Sequence, residues 1–146
     1  MQINFAEEND IAVLAILFDQ YRIFYEQKSD IKKVTAFLNS RLEKKDSIIF
    51  VARENADIVG FTQLYPSFSS VEMKQIWILN DLFVSPQLRR QGIAKKLMQE
   101  ALNHAKKTGA IRIDLATQVS NTHAQSLYEA IGYIKNESFY HYNLLV

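Results

Sequence analysis

The spacing of apolar positions changes several times along the chain, and each change marks a new element. "QINFA" alternates apolar and polar residues and predicts a short first strand. Asn9 or Asp10 then caps a helix to about Gln27, with Ile11, Leu14, Leu17, Phe18, Tyr21 and Tyr25 on one stripe. Ser29 or Asp30 starts a second helix to about Lys44, with Val34, Phe37, Leu38 and Leu42 inward. "SIIFVARE" and "ADIVGFTQLYP" predict two strands. The link between them is too short for a parallel crossover, so they form a hairpin.

"PSFSSVEMK" predicts a loop leading into "QIWILNDLFV", the longest apolar run and the expected central strand. A helix from about Gly92 to Lys107 follows, with Ile93, Leu97, Ala101, Leu102 and Ala105 inward and Gly109 closing it. "IRIDLATQ" predicts a strand. "SNTHAQSLYEAIG" predicts a short helix capped by Ser120 or Asn121 and ended by Gly132, and "YIKNESFYHYNLLV" two closing strands. The order is β-α-α-β-β-β-α-β-α-β-β, an α/β (α+β) mixed sheet with helices against its faces rather than an alternating Rossmann or barrel pattern.

The totals narrow the function classes. With 146 residues the expected unit is a single domain over 1–146, and 48% hydrophobic with 23% charged residues is ordinary for a globular protein. A net charge of +1 supplies no global field for nucleic acid or an anionic membrane, so neither is an expected partner. The absence of cysteine excludes disulfides, thiolate metal sites and a cysteine nucleophile, and suits a reducing cytoplasm. His104, His123 and His141 lack ligand spacing to one another, so no metal is expected. No basic leader precedes an apolar run, and no run reaches membrane-spanning length. The apolar ending "SFYHYNLLV" needs cover, from its own sheet or from a partner, and predicts a homodimer.

The junction "FVSPQLRRQGIAKK" carries the first candidate chemistry. Amide groups at the start of a helix have no intrahelical partners and bear a partial positive charge. Arg89, Gly92 and Ala94 give an R-x-x-G-x-A pattern between strand and helix, flanked by Arg90 and Lys95. That arrangement suits a group with several negative charges, such as a pyrophosphate. A solvated basic cluster accounts for the same residues without a ligand. The pattern is neither the phosphate-binding loop of nucleoside triphosphatases nor the three-glycine dinucleotide fingerprint.

Together with "IRIDLATQVSNTHAQSLYEAIGY", the segment "LNDLFVSPQLRRQGIAKKLM" resembles the Gcn5-related N-acetyltransferase superfamily. The second motif matches the family's N-x-x-A-x-x-L-Y-x-x-x-G-[FY] signature through Asn121, Ala124, Leu127, Tyr128, Gly132 and Tyr133. The order of elements is similar over nearly the whole chain. The resemblance implies a fold with a splayed central parallel strand pair, and acetyl-coenzyme A as co-substrate in the cleft between those strands. It implies backbone contacts from Leu82, Phe83 and Val84 to the pantetheine, and from Arg89, Arg90, Gln91, Gly92, Ile93, Ala94 and Lys95 to the pyrophosphate. Asn121, Ala124 and Tyr128 lie on the signature helix at further coenzyme positions.

The resemblance also implies direct attack of an amine on the thioester, without a covalent enzyme intermediate. Tyr128 then protonates the departing thiolate; read from the stripe Ala124, Leu127, Tyr128, Ile131 alone, it simply packs. "LNDLFV" is similar to the "LEDLYV" of the polyamine-acetylating branch, with Asn80 in place of the glutamate. Asp81 matches the next acidic residue, and strand alternation turns it away from Asn80. Asp81, Glu72 or a water relay then removes the amine proton. Tyr21, Tyr25, Glu72 and Asn80 are the expected acceptor-binding residues, with "YPSFSSVEMKQIW" forming part of the acceptor wall. The favoured acceptor is a small amine, polyamine or amino acid derivative; a protein lysine or N-terminus, or a non-catalytic coenzyme A sensor, are the alternatives.

Overall fold

In the computed structural model, which describes residues 1–146, the chain divides into two compact units, Met1–Leu115 and Ala116–Val146. The first holds β1 (Gln2–Phe5), α1 (Ile11–Phe24), α2 (Ile31–Lys44), β2 (Ile48–Glu54), β3 (Asp57–Ser69), β4 (Lys74–Val84), α3 (Ile93–Lys107) and β5 (Ile113–Asp114). The strands form one sheet in chain order, antiparallel from β1 to β4 and parallel between β4 and β5.

Alternation on the central strands sorts the helices. Val51 and Phe61 face α1 and α2, in a core with Leu14, Phe18, Val34 and Leu38. Gly60, one residue from Phe61, faces the other way. A Cβ built on Gly60 would stand 3.3 Å from Ile93 Cγ2 and Leu97 Cδ1 of α3. A bare backbone at Gly60 is what lets α3 lie this close to the sheet.

The single turn Glu8–Asp10 that leads into α1 is fixed by a capping box with Glu7. Asp10 Oδ2 accepts the Glu7 N–H at 2.8 Å and pairs with Arg53 Nη2 at 2.6 Å. That guanidinium contact holds the Asp10 carboxyl below its ordinary range. At the far end, Asp19 accepts Ser29 Oγ at 2.7 Å and the Asp30 N–H at 2.8 Å, and Asp30 in turn caps Lys33 N–H at 3.1 Å. The two helices are thereby clipped into one hairpin. The same bonds from Ser29 and Asp30 lower the Asp19 carboxyl.

Two strand expectations are corrected here. "PSFSSVEMK" is not a loop: β3 and β4 run on in register to Ser69↔Lys74, and the turn is only Ser70 to Met73. Pro66 tolerates this because β2 ends opposite Leu64, so beyond that point β3 is an edge on the β2 side. "IRIDLATQ" contributes only Ile113 and Asp114, paired with Trp77 and Ile78.

The second unit contains α4 (Thr122–Ile131), capped by Asn121 Oδ1 on the Ala124 N–H at 3.2 Å and closed by Gly132 at φ +117°. The two closing strands expected from "YIKNESFYHYNLLV" are absent, so the observed order ends at the last helix. Apolar residues supply faces, but a strand exists only where another segment takes its N–H and C=O groups. Here the Ser138 N–H turns onto Asn136 Oδ1 at 2.9 Å instead of opening a hairpin ladder.

Candidate functional site

A one-residue bulge organises the first unit's site. β3 and β4 pair Gln63↔Asp81 and next Leu64↔Leu79, which leaves Asn80 without an opposite residue. The inserted residue cancels the alternation. Asn80 and Asp81 consequently line the same pocket, correcting the expectation that they face apart. Its volume is about 320 Å³. Phe18, Tyr21 and Arg22 of α1 form one wall, Lys33, Val34 and Phe37 of α2 the second, and Tyr65 of β3 closes the side.

Asp81 is the hub. Its side chain is buried, and its carboxylate accepts Tyr21 Oη at 2.8 Å, Gln63 Nε2 at 2.8 Å and Asn80 Nδ2 at 3.1 Å. Its carbonyl accepts Thr62 Oγ1 at 2.8 Å, which ties the bulge to β3. Tyr21 is further fixed by rings: Phe18, Tyr25, Phe61 and Phe83 have centroids 5.2–5.7 Å away. Burial, with the Asp81 charge beside it, pushes the Tyr65 phenol up to about 12, so this hydroxyl keeps its proton throughout the neutral range.

Of the expected acceptor residues, Tyr21 and Asn80 come together with Asp81, whereas Tyr25 and Glu72 do not line the pocket. Tyr25 ends α1 and buttresses Tyr21 edge to face at 5.2 Å. Glu72 lies in the exposed β3–β4 turn, because the strands run past the segment read as a loop. Of the expected acceptor wall, only Tyr65 reaches the pocket. Sequence reasoning missed Lys33 and Gln63, placed Tyr65 only within the wall segment, and treated Phe18 and Phe37 as core alone. Helical spacing held a usable signal, since Phe18, Tyr21 and Arg22 follow i, i+3, i+4 and share one face.

At its carboxyl end β4 leads into the basic junction. β5 pairs only with Trp77 and Ile78, so β4 from Leu79 through Leu82, Phe83 and Val84 has no β5 partner on that edge. Ser85 N–H bonds Val59 C=O at 2.8 Å, and a short turn over Pro86–Leu88 follows. Arg89 does not project from the junction. Its Nε donates to Val84 C=O at 3.2 Å, and its guanidinium lies over the Phe83 and Phe24 rings at 5.1 and 5.7 Å. Arg90 and Gly92 both take left-handed conformations, at φ +64° and +78°. The Lys96 N–H makes the first intrahelical bond, to Gly92 C=O. The amides of Ile93, Ala94 and Lys95 therefore precede any intrahelical acceptor. A Cβ on Gly92 would meet no atom within 4 Å, so the space above this turn is open. Open backbone at a cationic helix start fits a pyrophosphate.

In the second unit, Tyr128 and Tyr133 lie with ring centroids 6.1 Å apart, and the Tyr128 carbonyl accepts the Gly132 and Tyr133 amides at 3.2 and 3.0 Å. Asn121 spends its Oδ1 on capping α4, and Ala124 supplies the amide that it caps.

Residues 11–133 match the family described as the acetyltransferase (GNAT) family. An uncharacterized N-acetyltransferase of Bacillus subtilis, YhfO, is 49% identical over 146 residues, covering 100% of this chain and 98% of that protein. A probable acetyltransferase of Haemophilus influenzae is 32% identical over 132 residues, 90% of this chain and 88% of the relative. The crystal structure of a probable acetyltransferase superposes with a TM-score of 0.94 at 40% identity, over 100% of this chain and 98% of the other.

Proposed function

The chain belongs to the acetyltransferase (GNAT) family, and from that premise we propose that it moves an acetyl group from acetyl-coenzyme A onto a small primary amine held between α1 and α2. The observation that carries this reading is the Asp81 carboxylate at the floor of a pocket of about 320 Å³, with the Tyr21 hydroxyl bonded to it at 2.8 Å. A pocket of that size, at the lower end for small-molecule sites, favours a small acceptor over a folded protein surface.

An alkylamine arrives mostly protonated at neutral pH and must lose a proton before it attacks. The amine donates to Tyr21 Oη while the hydroxyl proton passes to Asp81, so one proton moves along one hydrogen-bonded chain. Asn80 and Gln63 hold the carboxylate in place through its second hydrogen-bonding directions. The bulge keeps Asn80 within reach of that task.

Acetyl-coenzyme A, when bound, supplies the thioester whose carbonyl carbon takes the amine nitrogen. The amides of Ile93, Ala94 and Lys95, with Gly92 and Arg90, would hold its pyrophosphate. Leu82, Phe83 and Val84 supply backbone groups to the pantetheine, and Asn121 contributes from the start of α4. Tyr128 gives its phenolic proton to the leaving thiolate, a role suited to a group that stays protonated at pH 7. Thus the C–N bond forms, the C–S bond breaks and the thiol leaves neutral, while the surplus proton of the acylated nitrogen passes through solvent to restore the Tyr128 phenol.

The test is thiol release from acetyl-coenzyme A by the purified protein across primary amines, polyamines, amino acids and lysine peptides. Turnover with small amines is expected. Turnover with peptides alone would reject the small-acceptor reading, and coenzyme binding without turnover on any amine would reject catalysis.

A further inference from the structure

The pocket has an ordered sequence of chemistries from floor to mouth. Asp81, buried, lies at the bottom, and Phe18, Val34 and Phe37 line the walls. Lys33 is exposed and Arg22 half-buried, placing both cations toward solvent. Arg22 Nη1 donates to Lys28 C=O at 3.0 Å, which anchors the guanidinium to the link between the helices. Lys33 sits in the first turn of α2, whose start is capped by Asp30.

Two counts restrict what fits. An ionised carboxylate offers about four acceptor directions, and Asp81 already uses three, on Tyr21, Gln63 and Asn80. The floor therefore has room for about one further donor, enough for a single amine. The lining carries two cations against one carboxylate. A polyamine seated with one nitrogen at Asp81 would press its remaining ammonium groups toward Lys33 and Arg22, where like charges repel.

Resting on the reading of this pocket as the acceptor site, we infer that the acceptor is an amino acid-like zwitterion: one amine for the Asp81 end, an apolar stretch for the aromatic walls, and an anionic group paired with Lys33 and Arg22 at the mouth. Among the expected acceptors this selects the amino acid derivative over the polyamine, with the opposite charge at the acceptor's far end. Arg22 and Lys33 act here as specificity residues, since they touch the acceptor's distal group rather than the reacting nitrogen.

The experiment compares kcat/KM for amino acids and for the same molecules without the carboxylate. 6-Aminohexanoate is set against pentylamine, 5-aminopentanoate against butylamine and lysine against cadaverine, with 6-aminohexanamide and spermidine as further probes. At least one acid is expected to exceed its decarboxylated partner by about tenfold, a difference equal to 1.4 kcal/mol. In Lys33→Gln or Arg22→Gln that ratio falls about fivefold or more, mainly through KM for the acid. Spermidine, the amines or the amide matching or exceeding every acid would overturn the inference while leaving the acetyltransferase reading intact, as would a ratio unmoved in both variants. Silence from every small amine, with coenzyme binding intact, would instead sink the acceptor-pocket reading and this inference with it.

Discussion

The side-chain amide of Asn80 donates to the carboxylate of its sequence neighbour Asp81 at 3.1 Å. Consecutive residues of a regular strand point to opposite faces, so this bond exists only because the β4 bulge interrupts the period. The site chemistry and the sheet irregularity are one feature.

Tyr21→Phe removes a hydroxyl from the Asp81 network while keeping the ring that packs on Phe61 and Phe83. If Tyr21 relays the amine proton, kcat should fall about a hundredfold, with stability lowered by only about 1 kcal/mol for the lost hydrogen bond. Steady-state kinetics beside urea denaturation separate the two. Wild-type kcat in the variant would remove Tyr21 from the relay.

Asp81→Asn sets an amide nitrogen against Gln63 Nε2 or Asn80 Nδ2, both donors. One buried bond is lost and two donors confront each other, so unfolding free energy should drop by about 1–3 kcal/mol, together with turnover. Unchanged stability would mean that the network rearranges without cost.

Gly92→Val should raise KM for acetyl-coenzyme A about tenfold or more, and by more than Arg89→Ala or Arg90→Ala. The left-handed backbone adds strain of about 1–2 kcal/mol, while the new side chain points into the open space above the turn. Arg89 is already committed to Val84 C=O and two rings, so its loss leaves the amides in place. Equal effects in all three variants, read by calorimetric titration with coenzyme A, would contradict this order.

Tyr128→Phe should cut kcat about a hundredfold or more while leaving coenzyme A affinity nearly unchanged. A burst of product in the wild type that persists in the variant would indicate that thiolate protonation is not slow, and would remove the acid role.

His104 should make the fold acid-sensitive. Its ring lies among Phe5, Phe50 and Trp77, at centroid distances of 5.1–5.8 Å. Burial, reinforced by Lys107, lowers its pKa below 6.5. The folded state therefore prefers neutral His104, while the unfolded chain takes up a proton as pH drops through 6.5. Stability should be level above that pH and decline below it. The carboxylates Asp10 and Asp19, lowered from 3.8, keep their full contribution above that pH and add their own losses as pH falls below it and on through their depressed values. His104→Leu should flatten the decline between about pH 6.5 and 5; thermal melts that keep the same slope would assign it elsewhere.

Helices were the legible part of this chain, because caps such as Asp30 and Asn121 and stops such as Gly132 act within a few residues of where they stand. The strand ends were less so. Where β3 stops depends on its pairing with β4, and Pro66 reads as a terminator until one knows that β2 has already ended. The closing strands failed for the same reason, since "SFYHYNLLV" has the composition of a strand and no ladder. The basic junction could be read because its glycine and the open amides that follow it are contiguous. The pocket around Asp81 could be read only in part: Tyr21, Asn80 and Asp81 were legible as site candidates, but Lys33 and Tyr65 join them from two further elements, and the bulge that aims Asp81 leaves no mark in "LNDLFV".

The Asp19 clip places Phe18, Tyr21 and Arg22 together with Lys33, Val34 and Phe37 on one helical hairpin, between residues 11 and 44, whereas the basic turn sits between 85 and 95. On the proposed function, acceptor choice and donor use are written largely in separate stretches of chain. A lineage can rewrite the hairpin and change its substrate while inheriting the donor machinery untouched.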